Sequence, residues 1–460
     1  MPPLTISRRR VLGSAMAISV VNLAARAETP PGPDGFRVLE ARAGTLRLLP
    51  EPSAETAILG YNAQSPGPLL RYKAGEEVKV RLINALDQPT SLSWPGIRIA
   101  NAMDGVAGLT QKPVAPGESF DYRFTPPDSG FFWYRPYALP WLGEQLGRGL
   151  YGALIVDEIH PPETDKDMLV ALADWRLDDK AQIVGNFDTP SEPGSLITLN
   201  SQAVPVRETL PPGSRVRLRI LSAMNARIML LAFEGAKPFV LAVDGQPCDT
   251  AFEPVRSSLP IGPGARFDVM FDLPGEPGAE ASLILRGDNE PDRALLAFKT
   301  EGDLRAPLPP IASLELNPLL PTAIKLQASK RGDIVIEAAK PTETPASTAP
   351  APASSWTLNG AAADGFGAKP LLSVKRGGPV TLTIINRTAF IQQIHVHGHH
   401  MRLLHDLDDG WEPYWRDSVL VPAGKTKHVA FVADNPGKWA IEAVKIGLEA
   451  APLVTWFEVS

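Results

Sequence analysis

The sequence predicts an all-β protein of three tandem β-sandwich domains. One strand signature occurs three times along the chain, a second follows each copy at similar spacing, and no long segment carries a 3.6-residue apolar stripe. The 47 prolines and 38 glycines, set among 44% apolar residues, fit many short strands joined by tight turns.

The first element is a leader. Ser7-Arg8-Arg9-Arg10-Val11-Leu12-Gly13 opens an apolar run that reaches Ala25 and ends at Ala25-Arg26-Ala27. This is the pattern of a twin-arginine export signal over residues 1–27. The run is shorter than the ~20 residues needed to span a bilayer. No later stretch is as long without charges, so the mature chain is expected to lack a transmembrane segment and to reach a periplasm already folded. The formal charge of −6 becomes −10 once the leader's four arginines are removed. That balance disfavours nucleic acid and anionic lipid as partners. A single cysteine, Cys248, excludes an internal disulfide framework and any site that needs several thiolates. It follows Pro247 in an expected loop and reads as a structural thiol.

Gly75 to Asn84, Gly213 to Ile220 and Gly377 to Ile384 each place a turn glycine before alternating apolar and polar residues. Each is expected to be a strand with one buried and one wet face. Pro116 to Phe124, Pro263 to Phe271 and Pro422 to Phe431 each place a proline-glycine type turn before a second alternating strand. The third copy is offset by Pro341 to Ser355, a proline-, alanine- and threonine-rich stretch with no periodicity, which reads as a linker. The domains are therefore expected at 28–160, 165–302 and 355–460, with 303–354 connecting the last two.

The chemistry concentrates in Ile394-His395-Val396-His397-Gly398-His399-His400, which holds four of the seven histidines. Alternate histidines on a strand point two imidazoles to one face, a common beginning for copper and zinc sites. Thr90 to Gly96 with Asn101 to Gly105, Phe132 to Tyr137, and His395 to His399 resemble, in order, the first three copper motifs of multicopper oxidases, and Asp434 to Trp439 leads into the fourth. The resemblance spans the mature chain and implies three cupredoxin-like Greek-key sandwiches. It also implies a trinuclear copper cluster between the first and last domains, held by eight imidazoles, and a mononuclear thiolate copper in the last domain.

Carried onto this chain, the resemblance sets Ser93 and Pro95 at the first histidine pair of the cluster and Arg135 and Tyr137 at the second. The third pair is His395 and His397, and the fourth is Glu442 and Val444. At the mononuclear site Ala443 stands for the cysteine, Gln392 and Leu448 for the histidines, and Leu453 near the axial position.

On these replacements no catalytic residue and no cofactor are expected, with copper as the alternative. Arg135 and Glu442 are expected to pair in the former cluster cavity while Ser93 and Tyr137 hydrogen-bond the imidazoles. A second expectation is one metal ion on His395, His397 and Glu442, and a third is adventitious surface binding at His399, His400 and His405. The functional expectation is a periplasmic scaffold with protein partners such as the divisome, resembling a cell-division member of the family that lacks copper sites. The alternatives are a copper oxidoreductase with a reduced metal set and a mononuclear metal-binding protein.

Overall fold

The computed structural model describes residues 30–185, 192–287, 291–339, 356–361, 365–405, 410–447 and 451–460. The leader, the stretch Pro341 to Ser355 and Leu448 lie outside the described residues. Strands make up 47% and helices 4%, so the chain is all-β. Among the described residues no helix is long and apolar enough to cross a membrane.

The two repeated signatures pair with each other in space, three times over. Val78–Asn84 runs antiparallel to Ser119–Phe124, Arg215–Ser222 to Arg266–Asp272, and Gly378–Asn386 to Thr426–Ala433. On its other edge each first-signature strand takes a parallel partner, respectively Arg37–Leu46, Lys166–Trp175 and Lys330–Ala338. A second sheet closes each sandwich, and each domain has its own apolar core. Because Lys330–Ala338 belongs to the third sandwich, that domain begins well before the expected residue 355. Its pairing with Trp356–Leu358 also makes residues 341–355 an insertion within domain 3, not a linker between domains.

Two details differ from the sequence reading. Val78–Asn84 alternates buried and half-buried residues as expected, whereas Arg215–Ser222 is buried on both faces. The face carrying Arg215, Arg217 and Arg219 packs toward domain 1 and remains ionised through Asp272, Glu158, Asp268 and Asp167. Cys248 lies on the strand Gln246–Phe252, not in a loop, and is fully buried in the domain 2 core, where burial pushes its thiol up to about 12.

Buried side chains from all three domains meet. Between domains 1 and 2, Phe131, Trp133 and Ile155 pack on Ala171, Trp175 and Leu221. Between domains 1 and 3, Arg98 binds Asp128 and Asp434, each at 2.6 Å, and Asn101 donates to the Lys438 carbonyl. A Cβ on Gly437 (φ +131°) would come within 2.4 Å of Asn101, so the close approach of these domains requires glycine there. Arg266 sits at the junction of all three. It donates to the backbone carbonyls of Phe131, Gly264 and Asp244 and pairs with Asp417. Asp244 in turn accepts from the backbone nitrogens of Asp417 and Ser418.

Removing one member of such a buried pair leaves the other charge uncompensated. Arg266→Leu is expected to destabilise the protein by about 3–5 kcal/mol, read as a lowered thermal unfolding midpoint. Lysine at this position is expected to recover only part of the loss, because it cannot reproduce the guanidinium's fan of donors.

Candidate functional site

The site lies between domains 1 and 3 and is built by strand alternation. On Gln392–Val396 the side chains of Ile394 and Val396 enter the domain 3 core, while Gln393 and His395 face the neighbouring domains. On Gly437–Lys445 the side chains of Trp439, Ile441 and Ala443 enter the same core. Glu442 and Val444 line the interdomain side, together with Pro95, Arg135 and His395. The two strands are antiparallel neighbours in a register that sets His395 directly opposite Glu442. From domain 1, the backbones of Ser93 and Arg135 bridge each other, with N–H to O distances of 2.8 and 3.1 Å.

The structure thus brings together the eight positions that the resemblance assigns to the cluster. Arg135 pairs with Glu442 across the domain interface, and both are buried. His395 Nδ1 lies 2.9 Å from the same carboxylate oxygen, and His397 Nε2 lies 3.9 Å from it. The two imidazole rings stand 4.6 Å apart. Burial pushes the Glu442 carboxyl up. The Arg135 charge, the His395 hydrogen bond and the two imidazoles outweigh it and hold the group well below the usual carboxylate range.

Ser93 and Tyr137 do not hydrogen-bond the imidazoles as expected. Their buried hydroxyls have no partner among the described residues, and Tyr137 instead turns its ring edge-to-face on His397 at 5.1 Å. The partner of His397 is Asp104, at 3.2 Å from Nδ1. Asp417 Oδ1 stands 3.9 Å from His395 Nε2. Asp104, Asp417 and Arg266 were not singled out in the sequence. The only signals were an aspartate inside the first copper-like motif, Asn101 to Gly105, and a charged Arg416-Asp417 pair immediately before the strand Ser418–Val421.

The other assigned positions are apolar or self-contained. Ala443 and Leu453 face each other in the domain 3 core, and Gln392 is buried with its amide donating to Thr388. His399 and His400 are not surface residues. His399 packs among Phe431, Trp439 and Phe457, and burial lowers it to about 4. His400 lies 3.0 Å from the Gln246 amide, and burial lowers it to about 3. His405 is exposed.

The donor set can be tested against metal ions. Three coppers do not fit, because Pro95 and Val444 offer no donor atom and the Arg135 guanidinium stays charged. At ~4 Å and an effective dielectric of 20, each unit of like charge costs about 4 kcal/mol. One ion does fit the donors present: His395, His397 and Glu442 each offer a ligand atom, all within 4.8 Å of one another. Nε2 of both imidazoles and Oε2 of Glu442 are buried without a hydrogen-bond partner among the described residues. Such groups are costly to leave unmatched. His395 and Glu442, though not His397, border a cavity of about 50 Å³ lined also by Arg135 and Asp417, which exceeds the roughly 10–15 Å³ that one water requires.

Two models of the multicopper oxidase family match the chain, over residues 43–160 and 336–457. The multicopper oxidase MmcO of Mycobacterium tuberculosis is 29% identical over 95% of this chain and 93% of its own length. A multi-copper oxidase from Pseudomonas thermotolerans superposes with a TM-score of 0.79 at 30% identity, covering 92% of this chain and 98% of that one. Copper resistance protein A of Pseudomonas syringae is 29% identical over 49% of this chain. These relatives overturn the expectation that the chain takes no cofactor, because they are multicopper oxidases, which bind copper. Near-complete coverage by an oxidase structure at 30% identity, together with matches in the first and last domains, shows that the chain belongs to the multicopper oxidase family.

Proposed function

We propose that this chain is an exported copper-binding oxidoreductase of the multicopper oxidase family with a reduced metal set, holding one ion between domains 1 and 3. The observation that carries this is the convergence of His395, His397 and Glu442 with buried donor atoms left unmatched. Two imidazoles and a carboxylate suit a single copper. Bound there, copper would supply one-electron redox chemistry.

The residues around it have separable tasks. Asp104 holds His397 through Nδ1, fixing ring orientation as the outer partner of a metal-binding histidine does, while Glu442 engages His395 Nδ1 through Oε1 and keeps Oε2 as its ligand atom. Arg135 balances the Glu442 charge when no other cation does. With Ala443 at the thiolate position, electrons cannot enter by the family's usual route, so oxidation of phenols at that entry point is not part of this reading.

A second reading, a periplasmic scaffold acting through protein partners such as the divisome, is favoured by the Arg135–Glu442 pair, which ties domain 1 to domain 3 without a metal cluster. It does not depend on whether an ion is bound. Pull-down of envelope proteins by the exported chain would support it.

Metal analysis of protein exported through its own leader tests the first reading. About one equivalent of copper is expected, without an intense blue thiolate band, and His395→Ala with His397→Ala should abolish it. Several coppers with oxygen consumption would replace this reading with a full oxidase, and no retained copper would leave only the scaffold.

Arg135 also makes a prediction in pH. Because the Glu442 carboxyl is depressed in the folded state, its contribution is present above its ordinary value of 4.5 and is lost as pH falls through the lower folded value. Arg135→Leu leaves the carboxylate buried with no cation but the His395 contact. The variant is expected to be less stable than wild type by about 3–5 kcal/mol near neutral pH. That gap should narrow below pH 4.5, where protonation removes the charge, as read from unfolding midpoints across the range.

A further inference from the structure

A second cavity, of about 520 Å³, lies away from the histidines where domain 1, domain 2 and the connecting segment meet. Its size falls within the roughly 300–1,000 Å³ of small-molecule sites. Its rim is apolar. Ile159, Leu316 and Leu319 are 75%, 57% and 54% exposed, and all three line this one cavity. Seven large apolar side chains are strongly exposed among the described residues, and three of them meet at this cavity.

Its interior is acidic. Glu158 and Asp268 both line it. Asp268 is 2% exposed; its Oδ2 takes Arg217 at 2.5 Å, while Oδ1 has no hydrogen-bond partner among the described residues. Glu158 Oε1 also takes Arg217 at 2.5 Å, and among the described residues Oε2 has no hydrogen-bond partner, Arg219 standing 3.7 Å away. Asp167, bound to Arg219, completes a group of three carboxylates facing two guanidiniums. Arg71 reaches Asp167 only at 3.6 Å because Asp157 holds it at 2.8 Å. One negative charge is left over. Burial raises the Glu158 carboxyl, but Arg217 and Arg219 hold it below its usual range, so it stays ionised.

We propose that this cavity binds a small organic cation, a primary ammonium on an apolar body. The ammonium would sit beside the Glu158 and Asp268 carboxylates that line the cavity while the body packs on Ile159, Leu316 and Leu319. Two carboxylates backed by arginines are too few oxygens for calcium or magnesium, and the apolar rim has no use for a bare ion. The site shares no residue with the copper reading and does not depend on it.

Calorimetric titration of the mature protein with hexylammonium and phenethylammonium, against the neutral isosteres hexanol and 2-phenylethanol, tests the proposal. Saturable binding of one ammonium per chain is expected, at least about tenfold tighter than the alcohol of the same shape. Asp268→Asn should weaken it by a similar factor. Ile159→Ser with Leu316→Ser, both at exposed positions that the fold does not need, should weaken it independently should the buried variant fail to fold. Absence of saturable ammonium binding at millimolar concentrations, equal binding of the alcohols, or affinity unchanged in the rim variant would each overturn the proposal.

Discussion

A chain of buried charges crosses all three domains, and the arrangement of the candidate site depends on it. Arg135 of domain 1 pairs with Glu442 of domain 3, which holds His395. On the far side of that imidazole stands Asp417, paired with Arg266 of domain 2, whose backbone is held in turn by Asp244. In a low-dielectric interior every such group must be matched or it is costly. The domains therefore cannot slide or rotate against one another without stranding several charges at once. Burying ion pairs adds little net stability compared with apolar packing. What this network supplies is a single relative placement of the sandwiches, and with it the position of Arg135 against Glu442 and of Asp104 against His397.

The same network sets what the cavity can hold. Glu442 stands at a position that the resemblance assigns to histidine, and its charge is paired with Arg135. A metal ion there competes with a guanidinium that cannot deprotonate, so the site favours one cation at a time over a cluster. Around it the donor atoms are divided: Nδ1 of each imidazole is engaged by a carboxylate, and Nε2 of each is left unmatched. That division is what an orienting outer layer does for a metal-binding histidine. Ala443 and Leu453, which the resemblance assigns to electron entry, lie in the apolar core of domain 3.

Membership of the multicopper oxidase family and the residues of this chain make separate statements. Family membership brings the three sandwiches and copper as the relevant metal. The residues decide how much of that chemistry the framework can carry. Arg217 and Arg219 illustrate the same separation at another place: a sheet face that alternation would leave wet became an interdomain surface, and its charges were kept by adding carboxylates opposite.

Sequence alone determined what depends on neighbours along the chain. Period-2 alternation after turn glycines and prolines marked the six strands that pair in the three sandwiches, because half-buried strands impose that period locally. The motif order pointed to the copper positions, and Arg135 and Glu442 stood out because opposite charges had entered a site meant for imidazoles. Tertiary structure alone decided which groups meet across domains. Asp104 with His397, Arg266 with Asp417 and the burial of His399 and His400 join residues far apart in sequence or bury polar ones, and no local pattern encodes them. The third domain's first strand was missed for the same reason, since its parallel partner lies beyond an intervening insertion and only the closed sheet shows where the strand belongs.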